Sequence, residues 1–123
     1  MGIKISGAEL EIMDYLWESG RPGSFAELLE YFNEEQQKGW CKQTLNTNLL
    51  RLRKKGILAS EKAEGRQLYT PAVTRKQYER MCAEELLEDF YDGKLQKLIA
   101  ALVGGNKISK EEKEELLDYI DML

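Results

Sequence analysis

The stretch Lys42-Gln43-Thr44-Leu45-Asn46-Thr47-Asn48-Leu49-Leu50-Arg51-Leu52-Arg53-Lys54-Lys55-Gly56 decides the fold. Leu45, Leu49 and Leu52 recur at i, i+4 and i+7, so a helix from about Lys42 to Lys55 commits one face to a core. Gly56 then suits a left-handed C-cap. The opposite face presents Gln43, Thr44, Asn46, Thr47, Leu50, Arg51 and Lys54. Gln, Asn and Thr carry donors and acceptors for base edges, Leu50 can touch a thymine methyl, and Lys42, Arg51 and Lys54 offer charge to phosphates. A recognition helix needs that division of labour. An exposed polar helix face is also ordinary solubility, so the flanking elements have to decide between the two.

Upstream, Leu10, Ile12, Met13, Leu16 and Trp17 form a helical stripe that stops at Gly20, before the turn-forming Arg21-Pro22-Gly23. Phe25, Leu28, Leu29 and Phe32 form a second stripe that fades in the polar stretch from Glu34 to Gly39. Ser or Thr followed three residues later by Glu or Gln marks helix starts at Ser6 with Glu9, Ser24 with Glu27, Thr74 with Gln77 and Ser109 with Glu112. Downstream the period changes to that of strands. Residues 57–62 and 67–70 read as a hairpin around Ala63-Glu64-Gly65-Arg66, placing Arg66 at the tip, where it can reach a minor groove or a phosphate. Three helices followed by a hairpin make a winged helix-turn-helix.

A helix from about Arg75 to Tyr91 follows, interrupted at Asp92-Gly93. Leu95, Leu98, Ile99, Leu102 and Val103 then repeat at helical spacing, and after Gly104-Gly105 a last helix carries Leu116, Leu117, Ile120 and Leu123. Two short amphipathic helices cannot bury those side chains alone, so a second copy of the chain, related by a two-fold axis, is the simplest cover. The expected class is mainly α with a small β-hairpin wing: a winged-helix DNA-binding domain at 1–73 and a helical dimerisation domain at 74–123.

Charge supports this division. The net charge of -4 is uneven: residues 1–75 hold 11 basic and 10 acidic side chains, and residues 76–123 hold 7 and 12. Residues 36–60 contain Lys38, Lys42, Arg51, Arg53, Lys54 and Lys55 and no acid, the kind of local surface that collects phosphates.

Several classes are excluded. With no histidine, a histidine-dependent active site cannot exist, and Cys41 and Cys82 are too few and too far apart for a thiolate metal site or a disulfide framework. No nucleophile and base pair, metal cluster or phosphate-cradling loop is present, so the chain reads as no enzyme and needs no cofactor. The carboxylates Glu84, Glu85, Glu88, Asp89, Glu111, Glu112, Glu114 and Glu115 read as solvated helix faces. No apolar run has the length of a membrane span or the pattern of a signal peptide, which points to a cytoplasmic protein without direct membrane binding. Cys82, Trp17 and Trp40 read as packing residues. Cys41, before the recognition helix, reads as a small residue at a helix start, with a redox switch as the alternative.

The stretch Ile5-Ser6-Gly7-Ala8-Glu9-Leu10-Glu11-Ile12-Met13-Asp14-Tyr15-Leu16-Trp17, the run Thr44-Leu45-Asn46-Thr47 continued by Leu49 and Arg51-Leu52-Arg53-Lys54-Lys55-Gly56, and the wing end Tyr69-Thr70-Pro71 resemble the BlaI/MecI penicillinase-repressor family over essentially the whole length. The resemblance implies a homodimeric winged-helix repressor on a palindromic operator. In penicillinase members a membrane metalloprotease sensor leads to cleavage of the repressor in its dimerisation domain. The pair corresponding to the cleaved one is Ala101-Leu102, where those repressors have Asn-Phe. Asn46, Asn48 and Leu50 also depart from the family's basic, aliphatic and small polar residues, which implies an operator different from the usual TACA/TGTA dyad. The cysteine cluster of the copper-responsive branch is absent, which sets copper sensing aside. The alternative is a winged-helix module whose basic face docks an acidic protein.

Overall fold

A computed structural model describes residues 2–5 and 7–123. The order of elements is α1 (Ala8–Ser19), β1 (Gly23–Ser24), α2 (Phe25–Glu30), a π-helical turn (Tyr31–Glu35), α3 (Lys42–Lys54), β2 (Leu58–Ala63), β3 (Arg66–Pro71), α4 (Arg75–Tyr91), α5 (Leu95–Gly104) and α6 (Lys110–Met122). The chain forms two compact units, one up to Cys82 and one from Ala83 onward.

In the first unit the helical stripes meet in one core. Ile12, Met13 and Leu16 of α1, Leu28 of α2, Phe32, and Leu45, Leu49 and Leu52 of α3 are buried together with Ile57, Leu58, Tyr69 and Tyr78. Burying a side chain of this size contributes about 1.5–3 kcal/mol, so the three α3 leucines alone fix which way that helix faces. α3 ends in a Schellman motif. Ile57 N–H donates to the Leu52 carbonyl at 3.1 Å and Gly56 N–H to that of Arg53 at 3.0 Å, while Gly56 takes φ 78° and Ile57 enters the core.

The sheet has the order β1-β3-β2, all antiparallel. Ala63 pairs with Arg66, so the hairpin loop is only Glu64-Gly65, both left-handed (φ 52° and 76°), a two-residue turn whose twist suits the strands. Arg66 is therefore the first residue of β3 beside the tip. β1 pairs Gly23 with Tyr69 and Ser24 with Leu68, a third strand that no local pattern announces. Gly23 is buried there, and a Cβ at this position would crowd Leu16 Cδ2 at 3.3 Å.

Of the helix starts, Thr74/Gln77 and Ser109/Glu112 make both reciprocal bonds, whereas Ser24 accepts from Glu27 N–H while the Glu27 carboxylate lies 3.7 Å from Arg21. The start expected at Ser6 lies outside the described residues.

The first unit extends beyond residue 73, because the opening turns of α4 belong to its core: Tyr78 is buried and Met81 and Cys82 pack against it. Ile5 N–H donates to the Tyr78 hydroxyl at 2.6 Å, and Trp17 Nε1 donates to the Val73 carbonyl at 2.9 Å. In the second unit α5 and α6 contain no buried residue. Leu95, Leu102, Val103, Leu116, Leu117 and Ile120 are exposed, and only Leu98 and Ile99 are half-covered. No helix among the described residues is long and apolar enough to cross a membrane.

Candidate nucleic-acid interface

α3 exists because its leucine stripe is bound to the core, and the same periodicity fixes what is left outside. Gln43, Asn46, Leu50, Arg51 and Lys54 are exposed, Lys42 is exposed at the helix start, and Thr44 and Thr47 are half-buried. Leu50 keeps 45% of its surface in solvent, an apolar patch among polar neighbours. Asn48 is half-buried, its Nδ2 donating back along the helix to the Thr44 carbonyl at 2.9 Å.

The structure divides the basic run in two. Lys38 Nζ is 2.9 Å from Glu11, and Lys55 Nζ is 3.2 Å from Glu9. Both are committed to α1. Among the described residues Lys42, Arg51, Arg53 and Lys54 make no ion pair, and α3 holds no acid to neutralise them. The three in the last turn also sit favourably at the negative end of the helix dipole. In the wing, Arg66 is exposed, and so is Lys62 in β2, a cation that the sequence reading passed over. Gln67 Nε2 donates across the hairpin to Ser60 Oγ.

Cys41 is the exposed N-cap of α3, with its Sγ 3.2 Å from Thr44 Oγ1. The Thr44 hydroxyl, followed by the Thr44 backbone N–H, holds this thiol below its usual range. Trp40 stacks on Phe32 (4.6 Å, 28°), and Trp17 lies half-buried under the Arg75 guanidinium, 5.2 Å from the ring centroid. Both tryptophans thus pack against protein. Among the described residues no group of His, Cys, Asp or Glu could hold a metal ion.

The penicillinase repressor family model matches residues 5–122. The chain belongs to the penicillinase repressor family. The penicillinase repressor of Bacillus licheniformis is 32% identical over 119 residues, covering 96% of this chain and 90% of that protein. The methicillin resistance regulatory protein MecI of Staphylococcus aureus is 26% identical over 118 residues, covering 96% and 94%. Among solved structures, the monomeric form of B. licheniformis BlaI in complex with the blaP half-operator is 33% identical with a TM-score of 0.51, covering 61% of this chain and 88% of that one. Penicillinase repressor family members are repressors rather than enzymes, and the winged helix-turn-helix described above is the fold shared with BlaI.

Proposed function

We propose that this penicillinase repressor family protein is a DNA-binding transcriptional repressor that acts as a homodimer on an inverted-repeat operator. The single observation that carries the reading is the exposed face of α3, where base-reading side chains and unpaired cations share one helix whose other face is locked in the core. Gln43, Thr44, Asn46, Thr47 and Leu50 read bases. Lys42, Arg51 and Lys54, with Arg66 from the wing, contact phosphates or an adjacent groove. The relationship to BlaI, solved on a half-operator, supports the same use of the same fold.

The second copy covers α5 and α6. Leu95, Leu98, Ile99, Leu102, Val103, Leu116, Leu117 and Ile120 lie on helices without a buried residue, and leaving such a surface in water is unfavourable by roughly 25 cal/mol per Å². A dimer also supplies the two-fold symmetry that an inverted repeat requires. Relief by a membrane metalloprotease sensor system belongs to the same reading. Ala101 and Leu102 are exposed in the last turn of α5, so cleavage between them would require that turn to open.

The test is affinity for an inverted-repeat duplex against random duplex at physiological salt. True base readout gives a ratio of about 10³ or more. Equal, purely salt-governed affinity for both would reject it in favour of a basic face that docks an acidic protein.

A further inference from the structure

We propose that Asn33 is a positioning residue for the recognition helix, a two-point clamp that sets where α3 begins; its consequence for DNA rests on the reading above. The chain does not run directly from α2 to α3. It widens into the π-helical turn Tyr31–Glu35, with Gln36 N–H reaching the Tyr31 carbonyl at 3.2 Å, and then doubles back through Gln37 and Gly39, both left-handed (φ 51° and 66°). That return brings Trp40 to Asn33. Asn33 Nδ2 donates to the Trp40 carbonyl at 2.7 Å, and Trp40 N–H donates to Asn33 Oδ1 at 2.7 Å.

The pairing needs an amide, because one planar group must offer a donor and an acceptor side by side. Asp would place a second acceptor against the Trp40 carbonyl, and Leu of similar shape would offer neither bond. The clamp has a rigid base: the neighbouring Phe32 is buried, and the Trp40 indole stacks on it. Trp40 is thereby held by its backbone and its ring together. Cys41, the next residue, is the N-cap of α3, so Lys42, Gln43 and Thr44 start from a fixed point. The three core leucines fix the rotation of α3, and Asn33 fixes its entry. Widened π turns that accommodate extra residues recur at functional positions for this kind of reason.

The experiment uses the full chain with Asn33→Asp and Asn33→Leu, read by residue-resolved amide hydrogen exchange and by affinity for an inverted-repeat duplex selected from a random library and for random duplex. The expected result is exchange at least about tenfold faster at the amides of Trp40 and Leu45, which donate to Asn33 Oδ1 and the Cys41 carbonyl, with the amides of Ile12, Met13 and Leu16 within about twofold of the parent. In Asn33→Leu the preference for the inverted repeat falls about tenfold or more while the salt slope is unchanged, because no charge has been added or removed. Unchanged exchange at Trp40 and Leu45 overturns the proposal. So does acceleration spread equally through α1, which would mark general loss of stability, or a folded variant that keeps the full preference. A parent protein that prefers no duplex refutes the DNA reading instead, and the exchange pattern alone then decides the clamp.

Discussion

Lys55 Nζ lies 3.2 Å from the Glu9 carboxylate and 3.3 Å from the Lys4 carbonyl, so the last cation of the basic run ties the end of α3 to the start of α1. It stands apart from the four unpaired cations of that helix. Lys55→Ala is expected to lower stability by about 1 kcal/mol in urea unfolding, at the upper end for a half-covered pair. It should leave the salt slope of DNA binding unchanged, whereas a slope that flattens as much as for Arg51→Ala would place Lys55 on the phosphates.

Tyr78 gives the first unit a pH dependence. Its hydroxyl accepts the buried Ile5 N–H, and burial, reinforced by the neighbouring Cys82, pushes its pKa up to about 12. The neutral phenol is thus favoured by folding. Its contribution is fully present below about pH 10, the unfolded value, and is lost as pH rises toward about 12. Tyr78→Phe should remove this alkaline leg and cost about 1–3 kcal/mol at neutral pH by orphaning the Ile5 donor. Parent-like stability in the variant would contradict that bond.

The exposed leucines of α5 and α6 make assembly measurable. Val103→Asp with Leu117→Asp should turn a dimer into a monomer in sedimentation velocity, while the circular dichroism of the first unit is retained. Operator affinity should fall at least about tenfold as the second half-site contact is lost. A parent that sediments as a monomer at tens of micromolar would refute the dimer.

What the sequence revealed followed periodicity and local chemistry. The spacing of Leu45, Leu49 and Leu52 oriented α3, Gly56 marked its cap, and Thr74/Gln77 and Ser109/Glu112 marked two helix starts, because each signal lies within a turn of its partner. What escaped depends on chain reversal. β1 is two residues whose partners lie more than forty positions away, and the commitment of Lys38 and Lys55 to α1 is invisible until the helices pack. Asn33 sat between the end of the second stripe at Phe32 and the polar stretch from Glu34 to Gly39. Its one available signal was a side chain able to both donate and accept, seven residues before a tryptophan.

Arg51 and Asn46 should separate by role. Arg51→Ala is expected to weaken binding to all duplexes and reduce the salt slope by about one, whereas Asn46→Ala or Gln43→Ala should change which bases are preferred at a cost of about 1–3 kcal/mol on the best site. Uniform loss on every duplex from all three substitutions would contradict the assignment.

The most direct test is selection of bound DNA from a random duplex library by the purified protein. The expected result is enrichment of an inverted repeat whose half-sites lie one helical turn apart, roughly 34–36 Å, or a multiple of it. Recovery of unenriched DNA, held only by a salt-sensitive bulk affinity, would contradict it.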